Sequence, residues 1–232
     1  MRARRLDPIS TGREVDRLMA FSDGVVAVAI TLMALPLINL PKPGAGEPLY
    51  TVVTNNLGTL IIFLFTFYVV AVMWRLHSRI FSQIRGYDNP LFWLNVTWLA
   101  GIVLLPWLSS LYGYTFAFRA TDPNISTSST GDVAFLYWIL MAAVSSLGTL
   151  MGRHLTRNPR LLLEGVAPVA QSGTVRFRGW IIAGYFVVIG LVSLISPVIA
   201  SYLPIGIFVL TMWLQPKTPK QGSATTNGAT NE

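Results

Sequence analysis

The chain has 232 residues, of which 53% are hydrophobic and 12% are charged, whereas about 25% of the residues of a soluble domain are charged. This composition indicates an integral membrane protein. The net charge of +7 does not indicate a nucleic-acid partner, because the basic residues lie between hydrophobic stretches and form no single patch. The absence of cysteine excludes disulfides and thiolate metal sites, and two distant histidines give little support to another metal site. We therefore expect no cofactor.

Six stretches approach the roughly 20 residues that a helix needs to cross about 30 Å of hydrocarbon. They comprise residues 18–40, 52–76, 91–112, 133–152, 178–196 and 198–214. The last two share one apolar block, which Ser193, Ser196 and Pro197 are expected to divide with a tight turn. The predicted fold is all-α and integral to the membrane. Residues 1–16 form a polar arm, 17–214 the transmembrane domain and 215–232 a polar tail that is expected to be disordered.

The positions of the basic residues predict how the chain is oriented across the membrane. Only Lys42 and Arg119 lie in the connections after the first, third and fifth spans. The positive-inside rule then places both termini in the cytoplasm and requires an even number of spans. The other 15 of the 17 basic residues lie in the two termini and the alternate connections: Arg2, Arg4, Arg5, Arg13, Arg17, Arg75, Arg79, Arg85, Arg153, Arg157, Arg160, Arg176, Arg178, Lys217 and Lys220.

Tryptophans lie mostly near the ends of the predicted spans, as is typical of an aromatic belt at the membrane surface. They are Trp74, Trp93, Trp107, Trp138, Trp180 and Trp213.

Polar residues open the first apolar stretch, "RLMAFSDGVVAVAITLMALPL" (17–37). If the helix began at Gly24, Ser22 or Asp23 would be an ordinary N-cap. Residues 24–40 would then span only about 25 Å, which is short of the hydrocarbon thickness. We therefore favour a helix that begins near Arg13 and holds Ser22 and Asp23 inside the protein, where an ionisable group is a candidate for function.

Two other polar residues, His77 and Asn95, lie at a compatible depth near cytoplasmic span ends. Taken alone, His77 is better interpreted as a headgroup-level residue, and Asn95 as one that bonds a neighbouring backbone.

The first span also has a distinct face. At 100° per residue, Val28, Thr31, Leu32 and Leu35 share an arc with Asn39, which Phe21 and Gly24 extend toward the cytoplasm. Periodicity alone favours a packing seam over a pore. Pro36 removes the amide that would bond the Leu32 carbonyl, so a bend or an unpaired carbonyl is expected there.

The opening stretch resembles the RxxxFSD signature that begins the first helix of the transmembrane protein 175 family of lysosomal and bacterial potassium channels. Arg17, Phe21, Ser22 and Asp23 occupy the four specified positions, and the six-span layout agrees. Prokaryotic members carry a single six-helix repeat. The resemblance therefore implies a homotetrameric, potassium-preferring channel in the plasma membrane, with no pore loop and a central pore lined by the first helix.

The resemblance also implies roles for individual residues. The apolar constriction of the family corresponds to Val28, Leu32 and Leu35, with Thr31 as a hydroxyl layer, and permeant potassium is the only metal ion involved. Arg17, Phe21, Ser22 and Asp23 correspond to a structural network beneath the pore that extends to His77 and Asn95.

Two other functions stay open. One is a proton channel or proton-coupled transporter in which Asp23 and His77 titrate. The other is a membrane enzyme or a non-conducting scaffold, although the sequence contains no clustered catalytic set and no Walker A, HExxH or GxSxG motif. We therefore predict that the chain is not an enzyme.

Overall fold

The structure is a computed structural model that describes residues 10–40, 43–44, 46, 48–118, 126–165 and 173–207. The polar tail at 215–232, most of the N-terminal arm and residues 208–214 of the predicted sixth span lie outside these ranges. Within them the fold is helical, apart from one antiparallel pair of two-residue strands.

The helices, in chain order, agree in position with the predicted spans but differ in their ends. They are α1 (Arg13–Leu32), α2 (Leu35–Ile38), α3 (Leu49–Asn55), α4 (Leu57–Phe81), α5 (Asn89–Phe118), α6 (Thr127–Arg157), α7 (Gly173–Ile195) and α8 (Pro197–Tyr202), with a 3-10 turn at Pro159–Leu161. The strands are β1 (Ser10–Thr11) and β2 (Gly86–Tyr87).

Five helical segments of the described chain are long and apolar enough to cross a membrane. They are Arg13–Ile38, Leu57–Phe81, Asn89–Phe116, Thr127–Arg157 and Phe177–Ile195. The predicted division near Pro197 is present, because α7 ends at Ile195 and α8 begins at Pro197. Ser196 caps α8 by accepting a hydrogen bond from the Ile199 amide at 3.4 Å. The apolar stretch that follows is described only from Pro197 to Ile207.

The helix α6 packs against both α5 and α7, and α4 packs against α5. Helix α1 contacts α5 and α4 and lies at the edge of this bundle. The core is rich in aromatic side chains, and Trp138, Tyr137 and Phe186 are fully buried. The belt interpretation of Trp138 is therefore wrong, because this indole packs between α5 and α7 with its ring 5.7 Å from that of Phe186. A position near a span end does not reveal which side of a helix faces the protein.

The first predicted span, residues 18–40, is not one continuous helix, because α1 ends at Leu32. The Met33 amide bonds the Ala29 carbonyl at 3.3 Å, but the Ala34 amide bonds the Thr31 carbonyl at 3.1 Å, one residue short of the α-helical spacing. The short helix α2 then begins at Leu35, with Pro36 in its first turn. The interruption agrees with the bend expected from Pro36.

The N-terminal end of α1 is joined to the connection between α4 and α5. Strand β1 pairs with β2, with Ser10 opposite Tyr87 and Thr11 opposite Gly86, and Gly12 then turns the chain into α1 with φ of 63°. Asp88 follows β2 directly, is 3% exposed and accepts a hydrogen bond from His154 Nε2 of α6 at 2.9 Å. The start of α1 is thus connected to the ends of α5 and α6.

Close packing between α6 and α7 depends on Gly131. A methyl group on Gly131 would lie 2.7 Å from the Ser193 carbonyl oxygen, which is backbone and cannot rotate away. We expect Gly131→Ala to destabilise the fold by about 1–3 kcal/mol because the two helices must separate. Gly184→Ala in α7, where a methyl group meets nothing within 4 Å, is the matched control. Thermal unfolding in detergent should show a lower midpoint for Gly131→Ala only, and equal midpoints would refute the packing argument.

Candidate functional site

Helix α1 has one buried and one exposed face. Its buried side chains are Val15, Leu18, Ser22, Val26 and Ala29. Large apolar side chains on the other face stay exposed: Phe21 (59%), Val28 (58%), Leu32 (40%) and, beyond the interruption, Leu35 (50%). Thr31 is also exposed. The helical period therefore separates a face that packs on α4 and α5 from an apolar face that one protomer leaves uncovered.

A shallow apolar groove of about 540 Å³ follows the exposed face. Seven α1 residues between Ala20 and Leu32 line it, and Val103 of α5 forms the opposite wall. Four of the residues that line it are Phe21, Gly24, Val28 and Leu32, which the sequence assigns to one face. The groove gives the exposed face of α1 a shape into which another apolar element can pack.

Thr31 adds a polar group to this face. Its hydroxyl donates a hydrogen bond to the Val28 carbonyl at 2.8 Å within the same helix. Because the proton is used in this bond, the oxygen lone pairs remain available toward the exposed side. An oxygen presented in this way can accept a hydrogen bond from water or contact a cation.

On the buried face, a chain of hydrogen bonds links three helices. Ser22 donates to the Leu18 carbonyl at 2.8 Å, Asn95 Nδ2 donates to Ser22 Oγ at 2.9 Å, and Asn95 Oδ1 lies 2.7 Å from His77 Nε2. All three side chains are at most 3% exposed. Because the Asn95 oxygen can only accept, His77 Nε2 must carry the proton that completes this series. The structure thus brings together three of the site residues that the sequence singled out.

The imidazole of His77 is also held between two aromatic rings. The ring of Phe81 lies 4.4 Å from it and that of Trp98 lies 4.3 Å from it, both nearly parallel. This stacking fixes the plane of the imidazole, and the Asn95 amide fixes one of its nitrogens. His77 therefore has little freedom to change its orientation.

Asp23 occupies a different environment from its neighbour Ser22. It lies on the exposed surface of the protomer, although we expected it inside the protein, and Trp74 Nε1 of α4 donates a hydrogen bond to its Oδ1 at 2.8 Å. The position of Trp74 in the sequence predicts only a place in the aromatic belt and does not reveal this bond. The one available signal was that Trp74 lies at the same depth as Asp23, near the inner end of the next span.

The remaining members of the sequence-predicted set lie apart from these hydrogen bonds. Phe21 and Arg17 are both exposed, and Arg17 forms no ion pair among the residues that the structure describes. In the same ranges, no group of three or more His, Asp or Glu side chains is arranged to hold a metal ion. Among the sequence-predicted site residues, the polar contacts between helices of the described chain are thus those that join Ser22, Asn95 and His77 and the bond of Asp23 to Trp74.

These features define a helical membrane protein whose first helix presents an apolar face with one hydroxyl and is anchored by buried polar contacts. Residues 17–106 match the family described as "Endosomal/lysosomal potassium channel TMEM175". A potassium channel of Streptomyces collinus is 30% identical over 186 residues, which cover 79% of this chain and 85% of that protein. The chain therefore belongs to the TMEM175 family.

Two more distant matches are also named as TMEM175 proteins. The endosomal/lysosomal proton channel TMEM175 of Mus musculus is 26% identical over 149 residues, and this match spans only 27% of the mouse protein. The crystal structure of a lysosomal potassium-selective channel TMEM175 homolog from Chamaesiphon minutus superposes with a TM-score of 0.66. That match covers 88% of this chain and all of the other at 21% sequence identity, so it supports the fold.

Asn95 offers a direct test of the buried hydrogen bonds. We expect Asn95→Ala to reduce stability by about 1–3 kcal/mol, because Ser22 and His77 each lose a buried partner. Asn55→Ala, on an exposed asparagine at the end of α3, serves as control. Thermal unfolding in detergent should separate the two variants, and an Asn95→Ala midpoint equal to that of the wild type would show that these bonds contribute nothing net.

Proposed function

We propose that the chain is a subunit of a homotetrameric, potassium-preferring cation channel of the plasma membrane, whose central pore is lined by α1. The observation that carries this proposal is the exposed face of α1 with Val28, Thr31 and Leu32, followed by the exposed Leu35 at the start of α2. The names of the bacterial relatives support potassium as the permeant ion. Two further matches, in Chryseobacterium and Chamaesiphon minutus, are also named as potassium channels. The chain has no role as an enzyme in this proposal.

The proposed topology has six spans and no pore loop, with both termini in the cytoplasm. The five long apolar helices and the apolar start at Pro197–Ile207 are consistent with six spans. The domain limits remain 17–214 for the channel, with a cytoplasmic arm at 1–16 and a tail at 215–232. Membrane lipid covers the outer surface of the assembly, and no cofactor is required.

Four copies of α1 around one axis would turn each exposed side chain into a ring. Val28, Leu32 and Leu35 would give three apolar rings, and Thr31 a layer of four hydroxyls. An apolar ring replaces none of the waters around an ion and closes readily by dewetting. These rings therefore form the constriction, and the Thr31 oxygens return part of the lost hydration.

The preference for potassium follows from hydration. Potassium holds its water shell less tightly than sodium does, so it loses less free energy when an apolar constriction removes part of that shell. The hydroxyl layer is flexible and has no fixed cage of ligands, so selectivity should be modest, and rubidium and caesium should also pass. This mechanism needs no charged group at the constriction.

The polar residues at the cytoplasmic end have a structural role in this proposal. Ser22, Asn95 and His77 hold the buried face of α1 against α4 and α5, and Trp74 holds Asp23. Phe21 and Arg17 remain exposed in the protomer and are available for contacts between subunits. Together these six predicted residues, with Trp74, fix how the exposed face is presented to the axis.

A second function, proton permeation, is favoured by one observation. His77 is a titratable ring buried in a series of hydrogen bonds with Asn95 and Ser22, although the Asn95 carboxamide, which accepts at its oxygen and donates from its nitrogen, does not itself relay a proton. The animal relatives are named as proton channels, which also supports this second function. Against it, Asp23 is bonded to Trp74 and takes no part in that series.

Ion fluxes separate these functions. Purified protein in liposomes should carry current whose reversal potential follows the potassium gradient, shifts less with a sodium gradient and shifts little with a proton gradient. A reversal potential that follows pH would favour proton permeation. A current that is absent under every gradient would refute both channels and favour a scaffold.

Leu35 tests the apolar constriction. We expect Leu35→Ala to lower the ratio of potassium to sodium permeability at least about twofold, because four truncated side chains widen the ring and let more hydrated ions pass. Leu191→Ala in α7 is the matched control, since its side chain is similarly exposed (52%) and α7 packs mainly against α6. An unchanged ratio in Leu35→Ala would remove this residue from the constriction.

A further inference from the structure

A polar cluster centred on Asp88 lies at the end of the bundle where α1 begins, apart from the residues of the proposed pore. Asp88 is 3% exposed and immediately precedes α5. Its Oδ1 accepts a hydrogen bond from the Leu91 amide at 3.2 Å and so caps that helix. The same carboxylate also contacts His154 near the end of α6 and Arg160 in the 3-10 turn that follows. One nearly buried carboxylate thus connects the start of α5 to the end of α6.

His154 is the nearest basic partner of Asp88. Its Nε2 atom lies 2.9 Å from Asp88 Oδ1 and 3.0 Å from Oδ2. Because a carboxylate only accepts, Nε2 carries the proton of this bond whether the imidazole is neutral or charged. A second proton, on Nδ1, would place a full positive charge beside the carboxylate and convert the hydrogen bond into a stronger ion pair. The strength of this contact therefore depends on the charge of one imidazole.

The composition of the chain makes His154 the candidate for a response near neutral pH. Histidine is the side chain whose charge ordinarily changes between about pH 5 and 8. The chain has two histidines, and the other, His77, is 3% exposed and stacked between aromatic rings. The side chain of His154 is 20% exposed, so it can exchange protons with the surrounding water.

The cluster is connected to α1 through the two short strands. Asp88 directly follows β2, which pairs with β1. Strand β1 ends at Thr11, and α1 begins two residues later at Arg13. On the other side, the Arg85 amide donates a hydrogen bond to the Leu161 carbonyl at 2.9 Å. These contacts form one continuous connection from the end of α6 to the first turn of α1.

The other charged groups at the cluster determine the direction of the effect. Arg160 Nη2 lies 3.8 Å from Asp88 Oδ2, but Arg160 belongs to the segment that carries His154 and opposes its proton whether or not the strands are attached. Arg85 lies further out, where its Nε donates to the Arg160 carbonyl and its Nη1 is 3.9 Å from Glu164. The other charged side chains described on α6 and on the helices packed against it are Arg75, Arg79, Asp132, Arg153, Arg157 and Arg178.

Among these groups, Asp88 makes the direct contact with His154 that is lost when the strands leave α6. Attachment of the strands therefore favours protonation of His154, and protonation favours attachment by the same factor.

We infer that His154 and Asp88 form a proton-binding site, on the face that the proposed topology places in the cytoplasm, that regulates the channel through the attachment of α1. With His154 charged, the ion pair holds the strands, and with them the start of α1, against α6. With His154 neutral, the contact is weaker and the strands separate more readily. The attachment of α1 is therefore tighter at about pH 6 than at about pH 8. The attachment is a property of the protomer, whereas its effect on current rests on the proposed function.

A spin label on Thr11→Cys reports the attachment directly, because Thr11 is exposed at the end of β1 and the natural chain has no cysteine. In the full chain in liposomes, we expect the label to become at least about twofold more mobile between about pH 6 and about pH 8. His154→Gln should abolish this change, because its amide still donates to Asp88 but carries no charge at either pH. Equal label mobility at the two pH values without the substitution would overturn the inference.

Two further variants separate the site from general effects of charge. Arg157→Gln is the matched control, since Arg157 is exposed in the same last turn of α6 and makes no ion pair among the described residues. It should keep the pH response of the label, and loss of the response in this variant would refute the assignment to His154. Asp88→Asn should lose the response while it still caps α5, and it serves as the test if His154→Gln does not fold.

Potassium current across a planar bilayer tests the regulation. With the pH changed on one face at a time, we expect the wild-type current to change at least about twofold between about pH 6 and about pH 8 on the cytoplasmic face alone, and that of His154→Gln to stay constant. A label that responds while the current does not would refute the regulation and leave the proton-binding site. A wild type without potassium current at any pH would refute the proposed function, and the label would still decide the site.

Discussion

The hydrogen bonds that join Ser22, Asn95 and His77 determine which face of α1 is buried. Every side of this helix is largely apolar, so hydrophobic burial alone specifies its rotation weakly in lipid, where no hydrophobic force drives helices together. An unsatisfied polar group in this environment costs free energy, and the bond from Asn95 to Ser22 avoids that cost when this face of α1 is buried. That pairing turns Val28, Thr31 and Leu32 to the opposite side.

Further contacts fix the position of α1 along its axis. The pairing of β1 with β2 precedes its first residue, and the Asp23–Trp74 bond holds it to α4 about three turns later. Within the described ranges, no side-chain hydrogen bond joins the far end of α1 to another helix, and α2, which follows the interruption, has no buried residue. Helix α1 is therefore held by polar contacts near its N-terminal end, and the proposed constriction lies toward its other end.

Much of this arrangement was predictable from the sequence. The hydrophobic stretches located the helices, the length of the first span placed the start of α1 near Arg13, and Pro36 predicted the interruption. The division at Pro197 followed from proline chemistry. The exposed face followed from the helical period, because residues spaced by three and four positions share one side whatever they contact.

Other features depended on tertiary contacts that periodicity does not encode. The sequence placed His77 and Asn95 at the right depth, but depth does not reveal that one asparagine bonds both His77 and Ser22. Trp74 and Trp138 both lie near the ends of predicted spans. Trp74 donates a hydrogen bond to Asp23, whereas Trp138 is buried in the aromatic core. The start of α4 also differs from the prediction, because Asn56 lies between α3 and α4 and its side-chain amide donates a hydrogen bond to the Val52 carbonyl.

The central claim is that the exposed face of α1 lines a water-filled pore. The natural chain has no cysteine, so a single introduced thiol reports on its own position. The measurement is the block of liposome current by a cationic methanethiosulfonate reagent, which reacts with thiolates in water. Val28→Cys should lose most of its current, whereas Leu191→Cys, exposed on α7, should keep it. Equal insensitivity of the two variants would contradict the account, because Val28 would then face lipid or protein.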